Sequence, residues 1–241
     1  MFRKTKEISG HAGAVYCCIT KDNYVYTGGA DKFVARWLLD SGVQDAFAIR
    51  FEQAVYSLEL VGESLLAVGL ADGSLHFFDV DQRMEVKYFV QHTVGLFAMK
   101  FNAQTGYLFV GDAAGNVSVW NQLLNLVIYL PLDCGKIRSF ALSENGEYLA
   151  IACQDGFIRI LDTANFNEIH TIRAHENGVT SVLFHPLNPQ FLISGGKDAL
   201  LKIWDWSKES CLKVVVAHTF AIYEIISLQE GNLLATASRD K

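Results

Sequence analysis

Proline is scarce in this chain, three residues in 241, and the five cysteines are an odd number with no pair at the spacing of a zinc knuckle. Cys17 and Cys18 are adjacent and would point to opposite faces of a strand, which argues against a disulfide framework and favours a reducing compartment. Long apolar runs are missing too: the richest, LLNLVIYLPL at 123–132, is interrupted by Asn125 and is too short to span a bilayer. The opening MFRKTKEISGH carries no apolar core of a signal peptide, so the expected location is the cytoplasm, with no membrane partner. No GxGxxG run precedes a helix, and no amphipathic helix is visible; neither a nucleotide, a metal nor any other cofactor has a site in this reading. A net charge of -6 argues against a general nucleic-acid binder.

What is present is a core-forming composition, 51% hydrophobic and 19% charged, and a repeat. The segment ATASRDK at 235–241 has counterparts in YTGGADK (26–32), AVGLADG (67–73), FVGDAAG (109–115), AIACQDG (150–156) and ISGGKDA (193–199). The turn positions Asp31, Asp72, Ala114, Asp155, Asp198 and Asp240 are separated by 41, 42, 41, 43 and 42 residues. Six residues after each turn a large apolar residue recurs as Trp37, Phe78, Trp120, Leu161 and Trp204. Within a unit the apolar period is 2: VTSVLF (179–184), FLISGG (191–196), LLKIWDW (200–206) and CLKVVVA (211–217) are four β-rich runs. Four strands in ~40 residues describe one blade of a β-propeller. With turn signals on schedule throughout, residues 1–241 are expected to form a single domain.

The Ala-His or Gly-His dipeptide that opens a unit and the KIWDW that closes one resemble WD40 repeats over nearly the whole chain. The resemblance implies an all-β, WD40-type propeller with five complete repeats and a truncated sixth. It also implies hydrogen-bonded structural tetrads at His11, Thr27, Asp31 and Trp37, at His175, Ser194, Asp198 and Trp204, and at His218, Thr236 and Asp240. Ser, His and Asp together would suggest nucleophilic catalysis. A buried indole N–H that needs an acceptor accounts for the same residues, and their recurrence in several blades argues for structure over an active site. The middle blades lack the set, with Phe51, Val68 and Phe78, then His92, Val110 and Ala114, then Asp133, Ile151 and Leu161, and are expected to be packed by apolar groups. His76, His170 and His185 read as surface or satisfied histidines.

In proteins of this family, ligands meet the narrow face of the propeller through three positions per blade. In this sequence these are Ala14, Tyr16 and Ala30; Ala54, Tyr56 and Ala71; Gly95, Phe97 and Ala113; Lys136, Arg138 and Gln154; Gly178, Thr180 and Lys197; and Ala221, Tyr223 and Arg239. None is acidic. The middle members are rich in aromatic and arginine side chains, which dominate interface energetics. Tyr16, Tyr56, Phe97, Lys136, Arg138, Lys197, Tyr223 and Arg239 are therefore the expected partner-binding residues, with no catalytic residue among them. They suit a protein or peptide bearing apolar anchors and an acidic flank. Two other readings stand beside this scaffold: an enzyme or small-ligand propeller using the central funnel, and, more weakly, nucleic-acid binding through the basic positions.

In the family the N-terminal segment supplies the outermost strand of the last blade, a place that FRKTKEI (2–8) would take. On that reading the chain is expected to be a fragment of a seven-bladed ring rather than a natural short form, and open edges would favour self-association.

Overall fold

Short runs of Val, Ile and aromatic residues at period 2, separated by tight turns, can bury one face only by pairing as antiparallel strands. The computed structural model describes residues 4–228 and 232–240; among them are 22 strands, one 3-10 turn at Trp206–Lys208 and no α-helix. The chain divides into two compact units, Met1–Phe101 and Asn102–Lys241.

The first unit contains two four-stranded antiparallel sheets. One is built from β1 (Val15–Lys21), β2 (Tyr24–Gly29), β3 (Phe33–Leu38) and β4 (Gln44–Arg50) in that order. The other has β5 (Val55–Val61), β6 (Leu65–Leu70), β7 (Leu75–Asp79) and β8 (Met84–Phe89), and β9 (Leu96–Asn102) follows. Tyr26, Val34, Phe47, Val55, Leu66 and Val68 are buried between these sheets. The second unit begins with β10 (Tyr107–Asp112), β11 (Asn116–Trp120) and β12 (Leu126–Pro131). Two four-stranded sheets follow: β13 (Ile137–Leu142), β14 (Tyr148–Cys153), β15 (Phe157–Asp162) and β16 (Glu168–Arg173), then β17 (Val179–Phe184), β18 (Phe191–Gly196), β19 (Leu200–Asp205) and β20 (Ser210–Val216). A pair, β21 (Ile222–Leu228) and β22 (Leu233–Ser238), completes it. Residues 4–10 form no strand; Phe2 and Arg3, the start of the outer strand expected at 2–8, lie outside the described residues. No sheet edge among the described residues pairs with 4–10, so the backbone there lacks the partner a strand requires.

The recurring turn has a backbone reason. Among the described residues, the one after the turn position takes a positive φ in five turns, at Lys32 (70°), Gly73 (91°), Gly115 (91°), Gly156 (94°) and Ala199 (65°). The turn carboxylate holds this bend by accepting the amide two residues on, as Asp31 does from Phe33, Asp155 from Phe157 and Asp198 from Leu200.

The same carboxylates orient histidines. Trp204 Nε1 donates to Ser194 Oγ (2.9 Å), Ser194 donates to His175 Nε2 (2.8 Å), and His175 Nδ1 donates to Asp198 (2.9 and 3.0 Å). Trp37, Thr27, His11 and Asp31 form the same chain at 2.7, 2.7 and 2.9 Å. Thr236 donates to His218 (2.7 Å), which donates to Asp240 (2.9 Å). Where the set is incomplete, the substitutes are polar as well as apolar, and three of them, Ser118, His76 and Arg159, stand two residues before the closing apolar residue. Trp120 donates to Ser118 Oγ (2.8 Å). Asp112, two residues ahead of Ala114, accepts the amides of Ala114 and Asn116 and so holds that turn. Near Phe78, His76 lies between Glu85 (2.6 Å) and Ser74 (3.2 Å). Near Leu161, Arg159 pairs with Asp155 (2.9 Å).

Removing the Asp198 carboxylate strands the His175 N–H, because the imidazole is buried at 3% exposure. Asp198→Ala should therefore lower the urea midpoint by an amount equivalent to about 1–3 kcal/mol, with circular dichroism still showing a folded sheet protein. Burial holds His175 below the ordinary histidine pKa despite the attraction of Asp198. The unfolded chain then binds the proton more readily, so this contribution is complete above the ordinary value of about 6.5 and is lost as pH falls below it. Urea midpoints measured from pH 8 to 5 should fall below that value, and His175→Gln should flatten the decline.

Candidate functional site

An innermost strand that alternated strictly would present every second side chain to one face. In five of these strands the register instead shifts by one residue, between Val15 and Cys17, Val55 and Ser57, Ile137 and Ser139, Val179 and Ser181, and Ile222 and Glu224. The extra residues are Tyr16, Tyr56, Arg138, Thr180 and Tyr223, all middle members of the trios. Such a bulge leaves one residue without a cross-strand partner and re-aims its side chain. Hydroxyls beside the bulges join neighbouring inner strands. Ser57 Oγ donates to Leu96 O (2.8 Å), and Ile225 N donates to Ser181 Oγ (3.0 Å).

In the first unit three rings form a continuous row. Tyr16 meets Tyr56 edge-on at 5.4 Å, and Tyr56 stacks on Phe97 at 4.4 Å with 25° between their planes. Tyr16 is 52% exposed, and Tyr56 and Phe97 are half-buried, so the row is accessible at one end and anchored at the other. Small neighbours make room for it: a Cβ on Gly95 would come within 2.8 Å of the Tyr56 ring.

In the second unit the positions carry cations. Burial, with the positive charges of Arg138 and Lys197, holds the Lys136 ammonium below its ordinary pKa. Burial likewise depresses Arg138, and the nearby Tyr223 opposes this in part. Lys136, Arg138, Lys197 and Tyr223 are thus gathered within electrostatic reach of one another, with Lys197 and Tyr223 exposed. Arg239 is exposed and lies 5.9 Å from the Phe220 ring centroid. Thr180 differs: it is buried and donates to Gly195 O (2.9 Å) and to Ile222 O, so it serves the packing of β17 on β21.

Ser118, Asp112, His76, Glu85 and Arg159 complete polar networks that the spacing rule for His, Ser, Asp and Trp passed over. The signal that could have found Ser118, His76 and Arg159 is a polar residue two positions before the closing apolar one on the same strand face; Asp112 and Glu85 lie outside that spacing. Among the described residues no group of three His, Cys, Asp or Glu side chains is placed to hold a metal ion, and no helix is long and apolar enough to cross a membrane.

Comparison with known proteins follows the repeats. The model of the WD domain, G-beta repeat, matches residues 2–37, 130–162 and 166–205. The chain is 25% identical to transcription factor unc-37 of Caenorhabditis elegans over 190 residues, which cover 78% of this chain and 31% of that protein. It is 33% identical to nuclear distribution protein PAC1 of Candida tropicalis over 118 residues, 46% of this chain and 24% of that one. Polyadenylation factor subunit 2 of Candida albicans is 29% identical over 119 residues, 49% and 21% of the two chains. The chain thus spans about a third or less of the length of these relatives. With antiparallel four-stranded sheets recurring at the period of the matched repeats, the chain belongs to the WD40-repeat family.

Proposed function

We propose that this chain is a non-enzymatic scaffold that binds a peptide or protein surface through the bulged positions of its innermost strands, the narrow-face positions of the family. The observation that carries the reading is the row Tyr16, Tyr56 and Phe97, in which two re-aimed tyrosines meet each other and the Phe97 ring and the Tyr16 end stays exposed. Rings fixed by such contacts offer large area at little entropic cost to an apolar or aromatic anchor of the partner. Family membership supports an interaction scaffold in general.

Crowding Lys136, Arg138 and Lys197 costs free energy that an acidic segment would recover, which supports an acidic flank on the partner. The Ser, Thr, His and Asp side chains that resemble a catalytic set are engaged with buried indoles or with the turns, which favours a scaffold over an enzyme.

Tyr56→Ala and Phe97→Ala should each weaken partner binding by about 2 kcal/mol or more, with the urea midpoint showing a folded chain. A pull-down comparing wild type with the double variant, followed by titration of the recovered partner, measures this. Unfolding of both variants, or unchanged recovery, would return the rings to the core. Charge reversal at Lys136 and Lys197 should slow association with an acidic partner. A steep loss of affinity with salt that persists in the ring variants would point to nucleic acid instead.

A further inference from the structure

The tripeptide Glu-Asn-Gly occurs twice in this chain, at 144–146 and at 176–178. An asparagine before glycine is open to attack by the following amide nitrogen on its side-chain carbonyl, because glycine has no side chain to hinder the approach. With identical residues at both places, local chemistry gives the two sites the same reactivity, and only the fold can separate them. At the first site, in the turn from β13 to β14, each group that would have to move is engaged. Asn145 Oδ1 accepts from Ser143 Oγ (2.7 Å) and from the Glu147 amide (3.2 Å), Asn145 Nδ2 donates to Glu147 Oε2 (2.7 Å), and the Gly146 amide donates to Ser143 O (2.9 Å).

At the second site, between β16 and β17, these restraints are missing. Asn177 is exposed, and among the described residues its side chain makes no hydrogen bond and the Gly178 N–H donates none. The two Asp-Gly pairs could close the same ring, but their glycine amides are engaged as that of Gly146 is: Gly73 N donates to Leu70 O (3.2 Å) and Gly156 N to Cys153 O (3.3 Å). The glycine at 178 is imposed by the fold. Its φ is 107°, and a Cβ there would lie 2.9 Å from the Gln154 carbonyl oxygen, so a larger residue is strained at that position. The architecture thus supplies the unhindered amide that attacks Asn177.

We propose that Asn177 is a site of spontaneous deamidation, whereas Asn145 in the same tripeptide is held intact by its hydrogen bonds. The Gly178 amide gives its proton to hydroxide and its nitrogen bonds to Asn177 Cγ; the Cγ–Nδ2 bond breaks, ammonia leaves, and a succinimide forms. Water then opens the ring at either carbonyl, giving aspartate or isoaspartate. The net change converts a carboxamide and water into a carboxylate and ammonium, with nothing oxidised or reduced. Either product places a carboxylate next to Gly178, whose carbonyl accepts the Lys197 amide (3.1 Å), and isoaspartate also adds a methylene to the backbone there. A negative charge at this point opposes an acidic flank approaching Lys197. That consequence rests on the binding proposed above; the modification itself does not.

The test is to incubate the full chain in mildly alkaline buffer and to follow both Glu-Asn-Gly sites by peptide mapping with mass spectrometry, which separates asparagine, aspartate and isoaspartate. Transfer of labelled methyl groups from S-adenosylmethionine by an isoaspartyl methyltransferase checks the isoaspartate independently. In the folded chain Asn177 should convert about tenfold or more faster than Asn145, since the latter must first break several hydrogen bonds. In urea the two rates should converge. Asn177→Gln should remove the fast product, and Ser143→Ala with Glu147→Ala should speed conversion at Asn145 without changing Asn177. Conversion at Asn145 as fast as at Asn177 in the folded chain, a difference that persists in urea, or an unchanged Asn145 rate in the folded double variant would overturn the proposal. If the double variant does not fold, the comparison of folded and urea-unfolded wild type decides alone.

Discussion

The tight turn between the second and third strands of each sheet needs a residue at positive φ, and a side chain must hold the backbone in that bend. A carboxylate at the turn does so by accepting the amide two residues on, and its second oxygen is then available for a further partner. In three units that partner is a histidine, which passes the constraint through a hydroxyl to a buried residue of the third strand or to the second strand itself. In blade four it is the Arg159 guanidinium. The sheets therefore share one anchoring point and differ in what they attach to it, and the face-to-face packing of Val, Ile and Leu between sheets follows from that fixed strand geometry.

Satisfying the anchor is obligatory, because a buried donor or carboxylate without a partner would offset much of the marginal stability of a domain. The means are not fixed. Ser118 stands in for a residue on the neighbouring strand, Asp112 for a residue at the turn, and the His76 and Glu85 pair for a full set. Each substitution moves a polar group to a nearby position on the same face, which is what the pleat permits.

Strand runs at period 2 and turns at a period near 42 residues are local properties, and β17 and β18 coincide with the runs read from residues alone. At β19 and β20 the boundary moves by one residue, because Trp206 opens a 3-10 turn and Ser210 pairs with Asp205. What the residues did not display is anything set across strands. The bulge at Tyr16 or Arg138 is a register shift between two strands, and no property of YCC or RSF marks it. For Ser118 and His76 the spacing marks the residue but not its partner: each network replaces a partner on one strand with a partner on another, and a motif defined by spacing along the chain does not name that second residue. The difference between Thr180 and Tyr16 is of the same kind, since the Thr180 hydroxyl finds the carbonyls of Gly195 and Ile222 only once β17 and β21 are adjacent.

An exposed bulged residue lacks a cross-strand partner, so its identity is only weakly tied to the sheet that carries it; the buried Thr180, bonded to Gly195 O and Ile222 O, is the exception. Substitution at Tyr16 or Tyr223, both more than half exposed, leaves the ladder hydrogen bonds and the buried faces of β1 and β21 intact. Positions that are independent of the core can change without compensating changes in it, while rings in mutual contact, such as Tyr16 and Tyr56, couple to each other. The repeat thus separates two kinds of sequence information in one strand. The alternating residues are bound to the fold, whereas the extra residue is open to selection for whatever meets it, and divergence among copies of the repeat can collect there without eroding the architecture.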